Sequence, residues 1–225
     1  MVTHPRILLL AAEAGPALAD NLAGLGADVH LAMAADWAAD DAGLYGPGLE
    51  RVAEAAYARL GGIDAVVFCD PTRQTAAGPA DPDAIIDAAA DATRRLLAVV
   101  RCLAPRIIKD GAGGQFILVC DVAGFAGRVG LLPTSTVGGA LIGMGKSVAK
   151  ELGRHRLSVN IICHGLIDGM DSAVAYTPAE AMMLKATGMG KPGSVAHLAH
   201  NIAYLAQGGH WINGQVLHVS DGLIT

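Results

Sequence analysis

No stretch of this sequence runs to about 18 apolar residues without a charged or turn residue, so no membrane-spanning helix is expected. The start, MVTHPRILLLAAEAG, holds only a short apolar run, interrupted by Glu13. It lacks the length of a secretory leader and reads as a buried first strand. Charge of one sign is also missing. The net charge of −5 is scattered, with no basic stripe, which disfavours DNA or RNA binding. The four cysteines (Cys69, Cys102, Cys120 and Cys163) lie far apart without a CxxC pair, so a reduced, cytoplasmic protein is the default expectation. Aromatics are scarce at 4%, and the 52% apolar content comes mainly from Ala, Val, Leu and Ile.

What is present is an alternation. The 225 residues suffice for one domain with one core, and neither an internal repeat nor a second domain is visible over 1–225. Strands are expected at Arg6–Leu10, Asp28–Ala32, Ala65–Cys69, Gln115–Cys120, Ser158–Cys163 and Gln215–Val219. Helices are expected at Pro16–Leu25, Leu49–Leu60, Pro82–Lys109, Thr134–Arg154, Ala179–Ala186 and Ser194–Gln207. Short apolar runs alternating with long amphipathic stretches predict an α/β fold, three layers with a doubly wound parallel sheet. Pro16 after Gly15, and Pro82 after Asp81, fit first helical positions. The segment Trp37–Gly48 reads as a loop or single turn.

Five segments, in order, resemble the short-chain dehydrogenase/reductase family. They are LAGLGADVHLA, GGIDAVVFCDP, GGQFILVCDVAGFAG, GGALIGMGKSVAKELGRHRLSVNIICHGLID and INGQVLHVSDG, and together they cover nearly the whole chain. The resemblance implies a Rossmann-type sheet. The layout between the second and fourth strands is about 20 residues shorter than the family's, which predicts a shortened region around the third strand.

Members of that family use a Tyr-x-x-x-Lys pair, a serine 13 residues upstream of the tyrosine, and an asparagine in the preceding helix. Here the tyrosine position carries Thr134 and the lysine position Gly138. Counting back 13 residues from Thr134 reaches Asp121, where the VCDVAG motif independently puts the serine. The asparagine position falls at or next to Ala92. No shift of register helps. Four residues after Tyr45, Tyr57, Tyr176 and Tyr204 stand Leu49, Gly61, Glu180 and Gly208. Threonine has no phenol-like acidity and glycine no cation, so the family's proton transfer is not available. A carboxylate at Asp121 would oppose a developing oxyanion.

The resemblance also implies an NAD-type site, and its residues are replaced. The family's glycine-rich first turn reads AAEAGP and keeps only Gly15. Glu13 would satisfy the helix dipole itself and repel a phosphate. Met33 stands where an acid normally binds the ribose, and Cys69 with Asp70 replaces part of the segment lining the adenine. Two other glycine patterns, at Gly139, Gly143 and Gly145 and at Gly188, Gly190 and Gly193, lack the strand–turn–helix context and read as helix packing and a loop. This chain is expected to bind no cofactor.

Cys69, Cys120 and Cys163 should end neighbouring strands. A metal or thiol site is one reading, and small buried core cysteines the plainer one. His164, His197, His200, His210 and His218 read as structural or interfacial, and Arg94, Arg95 and Arg101 as a solvated or interfacial helix face rather than a phosphate anchor. The long helices and the C-terminal strand, which form the family's two subunit interfaces, keep their pattern. Retained interfaces with lost chemistry resemble the inactive subunits of hetero-oligomeric hydroxyacyl-CoA dehydrogenases. That resemblance implies a heterotetramer with an active homologous subunit carrying NAD. Two alternatives stand beside it: a stand-alone protein binding a ligand such as a CoA ester in the emptied cleft, or an oxidoreductase with chemistry relocated around Asp121, His164 and Asp168.

Overall fold

Leu, Ile and Val crowd the runs that become strands, and most of these residues are buried on both faces of the sheet. The computed structural model describes residues 3–12, 14–37, 46–69, 81–168, 170, 178–208 and 211–224. Its first half runs β1 (Arg6–Ala11), α1 (Gly15–Gly24), β2 (Asp28–Met33), α2 (Gly46–Leu60), β3 (Ala65–Cys69), α3 (Pro82–Asp110) and β4 (Gly114–Asp121). There follow α4 (Ala123–Ala126), α5 (Leu132–Leu152), β5 (Leu157–His164), β6 (Ile167–Asp168), α6 (Pro178–Ala186), β7 (Gly193–Ser194), α7 (Val195–Ala206) and β8 (Val216–Val219).

Six parallel strands form one sheet in the order β2-β1-β3-β4-β5-β8, while β6 and β7 pair separately. This is the Rossmann-type doubly wound architecture expected. The alternation of strand side chains divides the core in two. Leu8, Leu10, Val66, Phe68 and Leu118 face α2, α3 and α5. Ile7, Leu9, Val67 and Ile117 face α1 and α7.

Local chemistry sets the helix ends. The Asp81 side chain accepts the Asp83 N–H at 3.1 Å and Pro82 opens α3, which closes on Gly111 at φ 77°. Ser194 and His197 form a reciprocal cap on α7, with histidine where Glu or Gln usually stands. Gly145 lets α5 lie on the sheet, since a Cβ there would come within 2.8 Å of Leu118 and 3.2 Å of Ile161. Of the first glycine pattern, Gly145 thus serves helix packing as expected, whereas Gly143 is exposed with nothing near it, and Gly188–Gly193 lies in the connection before α7.

The shortened region has a visible consequence. Among the described residues no strand pairs with the outer edge of β2. The chain instead makes a 3-10 turn, Ala34–Trp37, whose Trp37 is fully buried against Phe68 with ring centroids 5.9 Å apart. Arg59 of α2 donates to the Val29 carbonyl at 2.6 Å. The expected loop at Trp37–Gly48 is corrected at both ends. Trp37 closes the 3-10 turn, and α2 starts at Gly46; residues 38–45 lie outside the described residues.

Candidate functional site

The carboxyl ends of parallel strands are where open α/β sheets gather their chemistry. Here β4 and β5 end on Asp121 and His164, which are register partners. Asp121 is buried. One carboxylate oxygen accepts the Ala123 N–H at 2.6 Å, and the other lies 3.6 Å from the Arg128 guanidinium. Arg128 is nearly as buried, and it donates to the Met183 sulfur at 3.1 Å, tying the α4–α5 connection to α6. The carboxylate at the serine position is therefore neutralised by a buried cation. Sequence reasoning missed this partner, although Arg128 is the one charged residue between Asp121 and Thr134.

His164 donates from Nδ1 to the Gly165 carbonyl at 2.8 Å, which fixes its tautomer. Asp168 is exposed on β6, so Asp121, His164 and Asp168 do not share one buried site. Ala92 is fully buried in the core side of α3 and brings no polar atom to the site.

Thr134 lies in the first turn of α5, where its hydroxyl and that of Ser135 are buried without hydrogen-bond partners. Gly138 sits one turn further on, packed on the backbone of α4. A Cβ on Gly138 would lie 2.7 Å from the Cα of Gly124, and a Cβ on Gly124 would lie 2.5 Å from the Cα of Gly138. The space a lysine stem needs is occupied by main chain. Nothing in the spacing of the sequence signalled this contact, because glycine at one position says nothing about what approaches it.

At the amino end of α1, donors are scarce. The Gly15 N–H donates to the Ala12 carbonyl at 2.8 Å and the Leu18 N–H to the Ala14 carbonyl at 3.0 Å. Pro16 has no N–H, so the first turn keeps at most one free donor, Ala17. Met33 and Leu31 close in beside it. A Cβ on Gly15 would meet Leu31 at 3.0 Å and the Met33 sulfur at 3.3 Å. Cys69 is buried on the α1 and α7 side of the sheet. Glu13 and Asp70, two further positions of the expected site, lie outside the described residues.

Of the remaining candidates, Cys120 and Cys163 are brought together with sulfurs 3.6 Å apart, while Cys69 faces the opposite side of the sheet. Among the described residues no group of three or more His, Cys, Asp or Glu side chains converges as metal ligands do. His200 donates from Nδ1 to the Ala196 carbonyl at 2.7 Å, and His197 caps α7; His210 lies outside the described residues. Arg95 pairs with Asp91 one helical turn away. A cleft of about 280 Å³ opens between α6, α7 and the end of β8, lined in part by Leu184, Lys191, His197, His218 and Leu223. The His218 ring meets Phe125 edge-on at 4.4 Å. No helix among the described residues is long and apolar enough to cross a membrane.

A family model described as enoyl-(acyl carrier protein) reductase, of the short-chain dehydrogenase/reductase type, matches residues 13–224. Among curated relatives, the 3-oxoacyl-(acyl-carrier-protein) reductase of Aquifex aeolicus is 32% identical over 111 residues, 49% of this chain and 45% of that protein. The enzyme of the same name from Rattus norvegicus is 30% identical over 131 residues, 58% of this chain and 54% of its own length. The chain thus spans about half the length of the curated relatives it matches. A solved structure titled dehalogenation enzyme superposes with a TM-score of 0.79 over 100% of both chains at 22% identity, a likeness of fold alone.

Proposed function

We propose that this chain, which belongs to the short-chain dehydrogenase/reductase family, is a non-catalytic subunit of a hetero-oligomeric NAD-dependent alcohol or hydroxyacyl-CoA dehydrogenase. Its role is to stabilise or regulate an active homologous subunit. The observation that carries the reading is the contact of Gly138 with Gly124, which leaves no room for a side chain at the lysine position. The buried Asp121–Arg128 pair supports it, since that carboxylate is committed to a cation and a backbone N–H rather than available as a base. The residues at the first turn of α1 do not fit a dinucleotide. A pyrophosphate site is built from several converging N–H donors, and this turn offers at most Ala17, with Met33 packed beside it. We assign NAD to the partner subunit.

Exposed apolar side chains on the two long helices, Ile86 and Leu97 of α3 and Leu132 of α5, favour assembly over a solitary chain. The instance the chain resembles is the inactive subunit of 2-(hydroxy(phenyl)methyl)succinyl-CoA dehydrogenase of anaerobic toluene breakdown. Co-expression with a family homologue that keeps the Tyr-x-x-x-Lys pair tests the proposal. A mixed tetramer by native mass spectrometry is expected. If the chain purifies stably alone and joins no homologue, the subunit reading fails, and turnover by the isolated chain would end the non-catalytic reading as well.

The cleft beside α7 favours a second reading, a stand-alone binding protein for an amphipathic anion such as a CoA ester. Lys191 and His197 line that cleft together with Leu184 and Leu223, and the Asp221 carboxylate that also borders it accepts the Met189 N–H. Saturable binding of a CoA ester by a chain that forms no mixed assembly would favour this reading.

A further inference from the structure

Cys120 and Cys163 are register partners on the adjacent parallel strands β4 and β5. Both face the α5 side of the sheet, and their sulfurs lie 3.6 Å apart. Neighbouring strands run roughly 4.8 Å apart, and disulfides join Cα atoms separated by about 4.4–6.8 Å. The backbone therefore already stands within the range a cross-link needs, and only the sulfurs must approach, from 3.6 Å to about 2.05 Å.

We propose that Cys120 and Cys163 form a two-electron thiol pair that a hydroperoxide converts into a cross-strand disulfide beneath the degenerate catalytic position. Cys120 is the entry point, because it keeps a little exposure at the strand end while Cys163 has none. Its thiolate attacks a peroxide oxygen, the O–O bond breaks, and Cys120 becomes a sulfenic acid with release of an alcohol, or of water from hydrogen peroxide. The Cys163 sulfur then attacks the sulfenic sulfur. The S–S bond forms, the S–O bond breaks, and the leaving hydroxide takes the Cys163 proton as water. Two thiols lose two electrons and two protons, and the peroxide gains them.

The other cysteines are poorly placed for this step. Cys69 points to the opposite side of the sheet. Cys102 sits on α3, where burial and the neighbouring Glu50 carboxylate push its thiol up to about 11, which keeps the thiolate scarce. The bond would tie β4 to β5 one residue before Asp121 and His164, so the oxidation state would be set directly beneath those residues.

The test treats the folded full chain with hydrogen peroxide, then unfolds it, alkylates it and maps its peptides. Expected are loss of two of the four thiols, a cross-linked pair of peptides carrying Cys120 and Cys163, and recovery of all four thiols with dithiothreitol. In C163A, a dimedone-type probe should instead trap Cys120 as sulfenic acid. The wild-type peptide map decides even if that variant folds poorly. Oxidation that consumes Cys69 or Cys102 instead, or four thiols that survive until the chain unfolds, overturns the proposal.

Discussion

Gly138 and Asp121 carry the residue-scale argument, and each can be challenged by restoring what the family uses. A T134Y/G138K variant regains the side chains in sequence but not the room for them, because the lysine Cβ meets the Gly124 backbone. No dehydrogenase turnover is expected, with a stability loss of at least about 1–3 kcal/mol from overpacking, read by denaturant unfolding. Asp121→Ser leaves the buried Arg128 without its carboxylate. Removing one member of a buried pair costs roughly 3 kcal/mol, so this variant should unfold at markedly lower denaturant and still show no activity.

Asp64 offers a residue-scale test of pH dependence. Burial alone would raise its pKa, but hydrogen bonds from the Arg6 side chain and backbone outweigh burial and hold the carboxyl below its ordinary value of 3.8. A carboxylate with a depressed folded pKa contributes stability that is present above its unfolded pKa and lost as pH falls through the folded one. Asp64→Asn should therefore be less stable than wild type at neutral pH, and the two unfolding curves should converge in strong acid.

At the scale of elements, most of the fold was legible and the reasons are physical. Six strands and six helices were expected, and all appear within a few residues of their predicted bounds, because short continuous apolar runs and caps such as Asp81–Pro82 are local signals. Short elements set by tertiary contacts were not legible. The turn α4 depends on Asp121 accepting the Ala123 N–H, and the β6–β7 pair joins residues distant in sequence. The 3-10 turn at Ala34–Trp37 compensates for the shortened region, since Trp37 seals the core beside β2, which has no outer partner among the described residues. Trp37→Ala should cost about 3–5 kcal/mol by the cavity it leaves, measured by thermal or denaturant unfolding. A change near zero would mean that Trp37 does not close the sheet's edge.

For the candidate site, the chain gave residues to look at but not what surrounds them. Asp121, Thr134 and Gly138 were located by counting along the chain, and the expectation that they lack the family's acid and cation rests on their identity. What surrounds these positions came only with three dimensions: main chain at Gly138, the Arg128 guanidinium at Asp121, and Met33 against Gly15.

At the scale of the whole molecule, a family fold carries a first helical turn with few free N–H donors and Met33 packed beside it. The most direct measurement is calorimetric titration of the isolated full chain with NAD(H) and NADP(H). No saturable heat is expected through the micromolar range, because the first turn of α1 offers at most one free N–H and Met33 lies against it. Binding with a micromolar dissociation constant would contradict this expectation.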